Sequence, residues 1–210
     1  ATWGDEEALR LAYVKEGQGQ GHRVPPDTKG AIRDLKPPPA VQTELYETAA
    51  ERAASRDSRM ARMVACFGTE VTTDNSGFAK PTALHFTAGQ QQFLAMVEVL
   101  RSGLSADEVA DALKGPWRFE SKLPSFSWTG TGQRLWAYRA NDPSSDKRGS
   151  CPGAEWLALL GLSFLPCVPG TSFRGPVTRT TGVSGGWKDG AFTWPLWTVP
   201  ATAQCVASLL

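Results

Sequence analysis

Lys80, His85, Thr87, Gln91 and Gln92 are the residues whose types and spacing best suit ligand chemistry in this chain. They lie in Gly77-Phe-Ala-Lys-Pro-Thr-Ala-Leu-His-Phe-Thr-Ala-Gly-Gln-Gln-Gln92. The apolar run Ala83, Leu84, Phe86 predicts a short strand leading into a helix from Thr87 to about Gly103. Phe93, Leu94, Val97, Leu100 and Leu104 recur at the spacing of one buried helix face. A helix mouth offers unpaired N–H groups and partial positive charge, which suit phosphates and base edges. Thr87 and Gln90 also fit a capping box, which needs no ligand. Gln91 and Gln92 are not explained by the cap.

A catalytic centre needs a nucleophile, a base and a group that orients the base. His22 lies in a Gly-rich loop without a nearby acid, and His85 falls in the expected strand. No H-E-x-x-H or Walker sequence occurs. Cys66, Cys151, Cys167 and Cys205 are scattered, with no C-x-x-C pair, so neither zinc nor a dense disulfide framework is expected. The expectation is a protein that is not an enzyme and uses no cofactor or metal. A hydrolase built on Cys or His in an unrecognised arrangement is the catalytic alternative.

The elements that must position these residues divide into two styles. Leu9, Leu11, Ala12 and Val14 suggest a helix over residues 5–16, followed by the punctuated loop Gly17–Pro26. Pro37-Pro-Pro39 precedes a helical region from Ala40 to about Phe67, with Leu45, Ala49, Ala53, Met60, Met63, Val64 and Phe67 inward and Gly68 as its stop. Arg52, Arg56, Arg59 and Arg62 would share one face of it, either tracking phosphates or pairing with Glu47, Glu51 and Asp57. Ser105-Ala-Asp-Glu108 is a capping box opening a short helix that Gly115-Pro116 closes. Beyond it, Phe126–Trp128, Arg134–Arg139 and Ala191–Trp194 alternate aromatic and polar residues as half-buried strands do. Thr129–Gly132 makes a hairpin loop between the first two. Helices are expected over Pro152–Leu162 and from about Ala201 to Leu210.

The fold class expected is α+β: an α-rich N-terminal half, then a small Trp-rich antiparallel sheet carrying Trp128, Trp136 and Trp194, with flanking helices. The division follows composition, with residues 1–115 mainly helical and 116–210 Trp/Gly-rich. Residues 77–115 are open to forming one continuous domain with the second part.

The net charge of +1 does not announce a nucleic-acid binder, but it is unevenly spread. Residues 1–110 carry 12 Lys+Arg against 15 Asp+Glu (12 − 15 = −3), and residues 111–210 carry 10 against 6 (10 − 6 = +4). The basic part also holds Trp117, Trp128, Trp136, Trp156, Trp187, Trp194 and Trp197. That combination suits backbone binding with base stacking, and equally an aromatic core. No apolar run approaches the ~20 residues of a membrane helix. No secretory leader is visible in the opening Ala-Thr-Trp-Gly-Asp-Glu-Glu, so a cytoplasmic protein without membrane contact is expected. The missing initiator Met suggests a processed or trimmed chain.

Pro152-Gly-Ala-Glu-Trp-Leu-Ala-Leu-Leu-Gly-Leu-Ser-Phe-Leu-Pro166 and Ser184-Gly-Gly-Trp-Lys-Asp-Gly-Ala-Phe-Thr-Trp-Pro-Leu-Trp197 resemble the C-terminal part of a large-subunit-like protein of subtype I-U (I-G) CRISPR systems. Ala88–Gln91 is similar to a tract upstream in that family, and the likeness extends over about residues 77–210. The chain lacks the family's apolar N-terminal strand-and-helix segment. The resemblance implies a non-catalytic Cascade subunit serving antiviral defence. Its partners would be the other subunits, the guide RNA near its 5′ region, and the motif flanking target DNA. Base pairing then reads sequence while protein holds backbones and reads the flank. Lys147, Arg148, Arg174, Arg179 and Lys188, in Gly/Pro/Ser-rich loops, would join Lys80, His85, Gln91 and Gln92 as nucleic-acid contacts. A protein-interaction scaffold without nucleic-acid contact is the competing expectation.

Overall fold

A computed structural model describes residues 34–37, 39–75, 77–86, 92–126, 128, 149–173, 175–185 and 190–210. The expected helix at 5–16 and the expected hairpin strand Arg134–Arg139, with Trp136, lie outside them. The fold is α+β: six α-helices and three two-stranded antiparallel sheets among the described residues. Contacts group the chain into two compact units, one of residues 1–85 with 161–210 and one of residues 86–160.

In the first unit, α1 (Pro39–Ala54) starts on a proline, whose fixed φ and missing N–H suit a first helical turn. The helix expected to continue to Phe67 instead breaks. Arg56 takes φ 67°, and α2 (Arg59–Phe67) starts afresh after Ser58. The arginine stripe is therefore not one helical face, and Arg59 pairs with Asp57 at 2.9 Å. Of the expected inward residues, Leu45, Ala49, Met60, Val64 and Phe67 are buried, while Ala53 and Met63 are only half-buried.

Gly68 ends α2 and opens β1 (Gly68–Thr73), which pairs with β2 (Ala79–Pro81). The register shifts between the Gly68–Pro81 and Thr73–Ala79 pairs, so β1 bulges. Asp74 closes the connection: its backbone N–H donates to the Phe78 carbonyl (2.8 Å) and its carboxylate accepts from the Phe78 N–H (3.0 Å). The strand thus lies at Ala79–Pro81 rather than at Ala83–Phe86. Residues 83 and 84 form a turn in which the His85 N–H donates to the Thr82 carbonyl.

The longest ladder was not expected from the sequence. β3 (Cys167–Ser172) and β4 (Gly175–Thr180) pair over their whole length, from Cys167–Thr180 to Ser172–Gly175. β5 (Val183–Ser184) and β6 (Ala191–Phe192) form a minimal pair. Trp194 lies just beyond β6 and Trp128 is not in a strand, so neither belongs to a sheet. The last helix, α6 (Ala203–Leu209), is capped by the Thr202 hydroxyl, which accepts from the Cys205 N–H.

The second unit holds α3 (Phe93–Gly103), α4 (Ala106–Lys114) and most of α5 (Pro152–Gly161), whose last residue belongs to the first unit. The N-cap of α3 is Gln92, so the helix starts later than Thr87; the expected Thr87–Gln90 cap lies outside the described residues. The capping box of α4 is fully formed, with Ser105 Oγ accepting from the Glu108 N–H and the Glu108 carboxylate accepting from the Ser105 N–H. Phe93, Phe126 and Trp128 pack ring on ring, at 4.9 Å between Phe93 and Phe126 and 4.7 Å between Phe126 and Trp128. Gly153 lets α5 approach α4, because a Cβ there would stand 2.1 Å from the Glu108 carbonyl oxygen. Among the described residues no helix is long and apolar enough to cross a membrane.

Candidate functional site

Among the described residues, several polar side chains meet where the β1–β2 and β3–β4 hairpins come together in the first unit. Strands alternate their side chains, so Thr178 and Thr180 of β4 point to the same side. Thr178 Oγ1 donates to the Lys80 carbonyl at 3.0 Å. A hydroxyl has one proton, so Thr178 accepts from Thr72, and Thr72 in turn accepts from Thr69. Gln42 Nε2 donates to the Thr69 carbonyl (2.9 Å), tying α1 to the start of this hydroxyl chain. Farther along, Thr180 Oγ1 accepts from the Ala83 N–H (2.9 Å) and lies 3.0 Å from Thr82 Oγ1. Thr69, Thr72, Thr82 and Thr180 are all buried.

Two thiols lie in the same seam. Cys167 Sγ donates to the Cys66 carbonyl at 3.3 Å. Burial pushes both thiols above their ordinary pKa, and the neighbouring Cys167 adds to the effect at Cys66. They stay protonated at neutral pH and are poor nucleophiles. Tyr46 is shifted the same way, mainly by burial. Among the described residues no cluster of His, Cys, Asp or Glu could hold a metal ion.

The sequence-derived site residues are distributed as follows. Lys80 is on β2, and its ammonium donates to the Pro176 carbonyl at 3.0 Å, so it joins the two hairpins. His85 Nε2 lies 2.8 Å from Asp34 Oδ1, which also accepts from the Leu35 N–H. The Asp34 carboxylate thereby fastens the segment before α1 to the turn after β2. Arg179 is exposed on β4, on the side opposite Thr178 and Thr180. Its side chain crosses Gly170, where a Cβ would come within 2.5 Å of Nε, and Nη2 donates to the Thr171 carbonyl at 3.3 Å. Gln92 belongs to the second unit, is half-buried and makes no side-chain cap bond. Lys80 and Arg179 are thus brought into the same pair of hairpins. Gln91, Lys147, Arg148, Arg174 and Lys188 lie outside the described residues.

Glu155, buried on α5, is a group the sequence reading passed over. It accepts from the Ser125 hydroxyl (2.5 Å) and the Phe126 N–H (3.1 Å), closing the aromatic cluster. An acid inside the otherwise apolar run Pro152–Leu160 was the available signal.

The last stretch of the chain has the opposite character. Residues 190–210 contain no charged side chain. Phe192, Trp194, Leu196, Trp197, Val199 and Leu209 are exposed, and α6 buries none of its residues. Phe192 and Trp194 lie tilted against each other, with ring centroids 5.2 Å apart. Comparison with known protein families, curated proteins and solved structures finds no match.

Proposed function

We propose that this protein is a non-catalytic subunit of an RNA-guided CRISPR surveillance complex, contacting the guide RNA 5′ region, the DNA flanking the target, or both. The observation that carries the reading is the exposed, uncharged stretch 190–210, whose first part belongs to the segment Ser184–Trp197 that resembles the CRISPR family. Contiguous exposed apolar surface of this kind marks a region that a partner covers. A stretch without cations does not itself hold a polyanion, so its role here is attachment to neighbouring subunits. Nucleic-acid contact falls to the cations elsewhere, Arg179 among those described.

The second reading, a scaffold subunit without nucleic-acid contact, draws on the same stretch. One purification separates the two. The tagged chain is expressed with the genes that neighbour its own and a CRISPR array, purified, and its RNA extracted and sequenced. Discrete guide-length RNA sharing a repeat-derived 5′ end is expected. Stable association with partner proteins but no enriched RNA would favour the scaffold, and absence of any assembly would sink both.

A further inference from the structure

We infer that Trp117 and the cations Lys114, Arg118 and Lys122 form a stacking platform for single-stranded nucleic acid. The inference rests on the nucleic-acid part of the function proposed above and names a surface in the second unit.

The platform begins where α4 ends. Gly115 takes φ 68° and its N–H donates to the Asp111 carbonyl at 2.7 Å, turning the chain sharply out of the helix. The Trp117 indole then folds back, and its Nε1–H donates to the Ala112 carbonyl at 2.9 Å. The ring's one polar group is satisfied within the protein, yet the residue remains 50% exposed. What it offers outward is aromatic surface held in one orientation. Phe119 steadies it from the side, edge-on at 6.2 Å.

The far end of the loop is anchored as firmly. Gly149 has no side chain to obstruct the Phe119 carbonyl, which would stand 1.5 Å from a Cβ there. Ser121 and Ser150 exchange backbone hydrogen bonds at 3.3 and 2.9 Å, and Ser150 Oγ donates to the Leu123 carbonyl at 2.7 Å. The backbone of the loop is therefore held in place before a ligand arrives, which lowers the ordering cost of binding.

Charge selects the occupant. Lys114, Arg118 and Lys122 are exposed, and none makes an ion pair among the described residues. Asp111 and Glu120 are the exposed acids in the same stretch, leaving it net positive (3 − 2 = +1). An apolar protein groove would offer no counter-charge to the exposed cations that neighbour Trp117 in the sequence. A single strand instead brings phosphates to them and an unpaired base to the ring, the combination that sequence-tolerant binders use. A duplex keeps its bases stacked and has none to give.

The test titrates the purified full chain with fluorescein-labelled oligo(dT) of about twenty nucleotides, and with a duplex of the same length, between about 50 and 200 mM salt. Single-strand binding should weaken roughly 5- to 150-fold in Trp117→Ala, the range for loss of one stacked base. Trp117→Phe should retain part of the affinity. The triple variant Lys114→Ala/Arg118→Ala/Lys122→Ala should flatten the log–log salt slope by about 2, near 0.7 per lost phosphate contact. Its positions are exposed, so it reports even where Trp117→Ala disturbs folding. Parental affinity and slope in these variants, a preference for duplex, or no binding by the parent would each overturn the platform. The failures are separable. Guide RNA in the purified assembly with parental binding by Trp117→Ala removes this inference alone. Trp117-dependent binding without any guide in the assembly removes the surveillance reading alone.

Discussion

Two regions of this molecule solve the same problem of cohesion with different materials. The hairpins β1–β2 and β3–β4 meet through buried threonines, Thr69 to Thr72 to Thr178 to the Lys80 carbonyl, and Thr82 beside Thr180. The second unit buries Phe93, Leu100, Phe126 and Leu159 together with one carboxylate, Glu155, which accepts from the Phe126 N–H. Hydroxyl chains demand directions and therefore fix register, whereas rings and aliphatic chains mainly fill volume. The first region should be sensitive to geometry and the second to size.

The comparison can be broken most severely at Phe93, which is almost wholly buried. Phe93→Ala should cost about 3–5 kcal/mol in urea unfolding, through lost transfer energy and the cavity left behind. A cost below that of Thr72→Val would reverse the contrast. Next comes the carboxylate. Glu155→Ala leaves the Phe126 N–H and Ser125 hydroxyl without their acceptor and should cost roughly 2–3 kcal/mol. Glu155→Gln keeps one acceptor oxygen and should cost less; equal losses would show that charge, not acceptor geometry, holds the site. Thr72→Val preserves shape but interrupts the hydroxyl chain, for about 1–2 kcal/mol. In a double-mutant cycle with Thr178→Val the two losses should be smaller together than their sum, because one chain is broken twice. Simple additivity would deny that the hydroxyls act as a unit. The smallest effect is expected at an exposed helix end, where Ser105→Ala removes the capping box of α4 and should cost about 1 kcal/mol by the same measurement.

What the sequence disclosed follows from the range of the interactions involved. Helix α4 was legible from Ser105, Glu108 and Gly115 because its signals are local. The split between α1 and α2 was not, since the apolar spacing from Leu45 to Phe67 continues through the turn where Arg56 leaves helical geometry. The β3–β4 ribbon was hidden by its own punctuation, Pro169-Gly170 and Gly175-Pro176. Prolines are tolerated there because Pro169–Thr178 and Thr171–Pro176 belong to the same alternating class of pairs. In a two-stranded ribbon that class directs its N–H groups outward, where no ladder bond is lost. Of the candidate site, Lys80, His85 and Arg179 were visible as types, but their bonds to Pro176, Asp34 and Thr171 depend on strand pairing and distant segments. Trp117 was visible only as one tryptophan among several. Its half-exposed pose is decided by the indole bond to Ala112.

The bare stretch 190–210 also governs how the protein behaves as a colloid. The whole chain carries a net charge of +1, so long-range repulsion between molecules near neutral pH is weak, and the exposed rings of Phe192, Trp194 and Trp197 have no charged neighbour within their own stretch to keep copies apart. Added salt, which loosens contacts with phosphate, would strengthen this attraction. Concentrated stocks of the free chain should therefore scatter more light as ammonium sulfate rises, and co-expression with whatever covers the stretch should clear them.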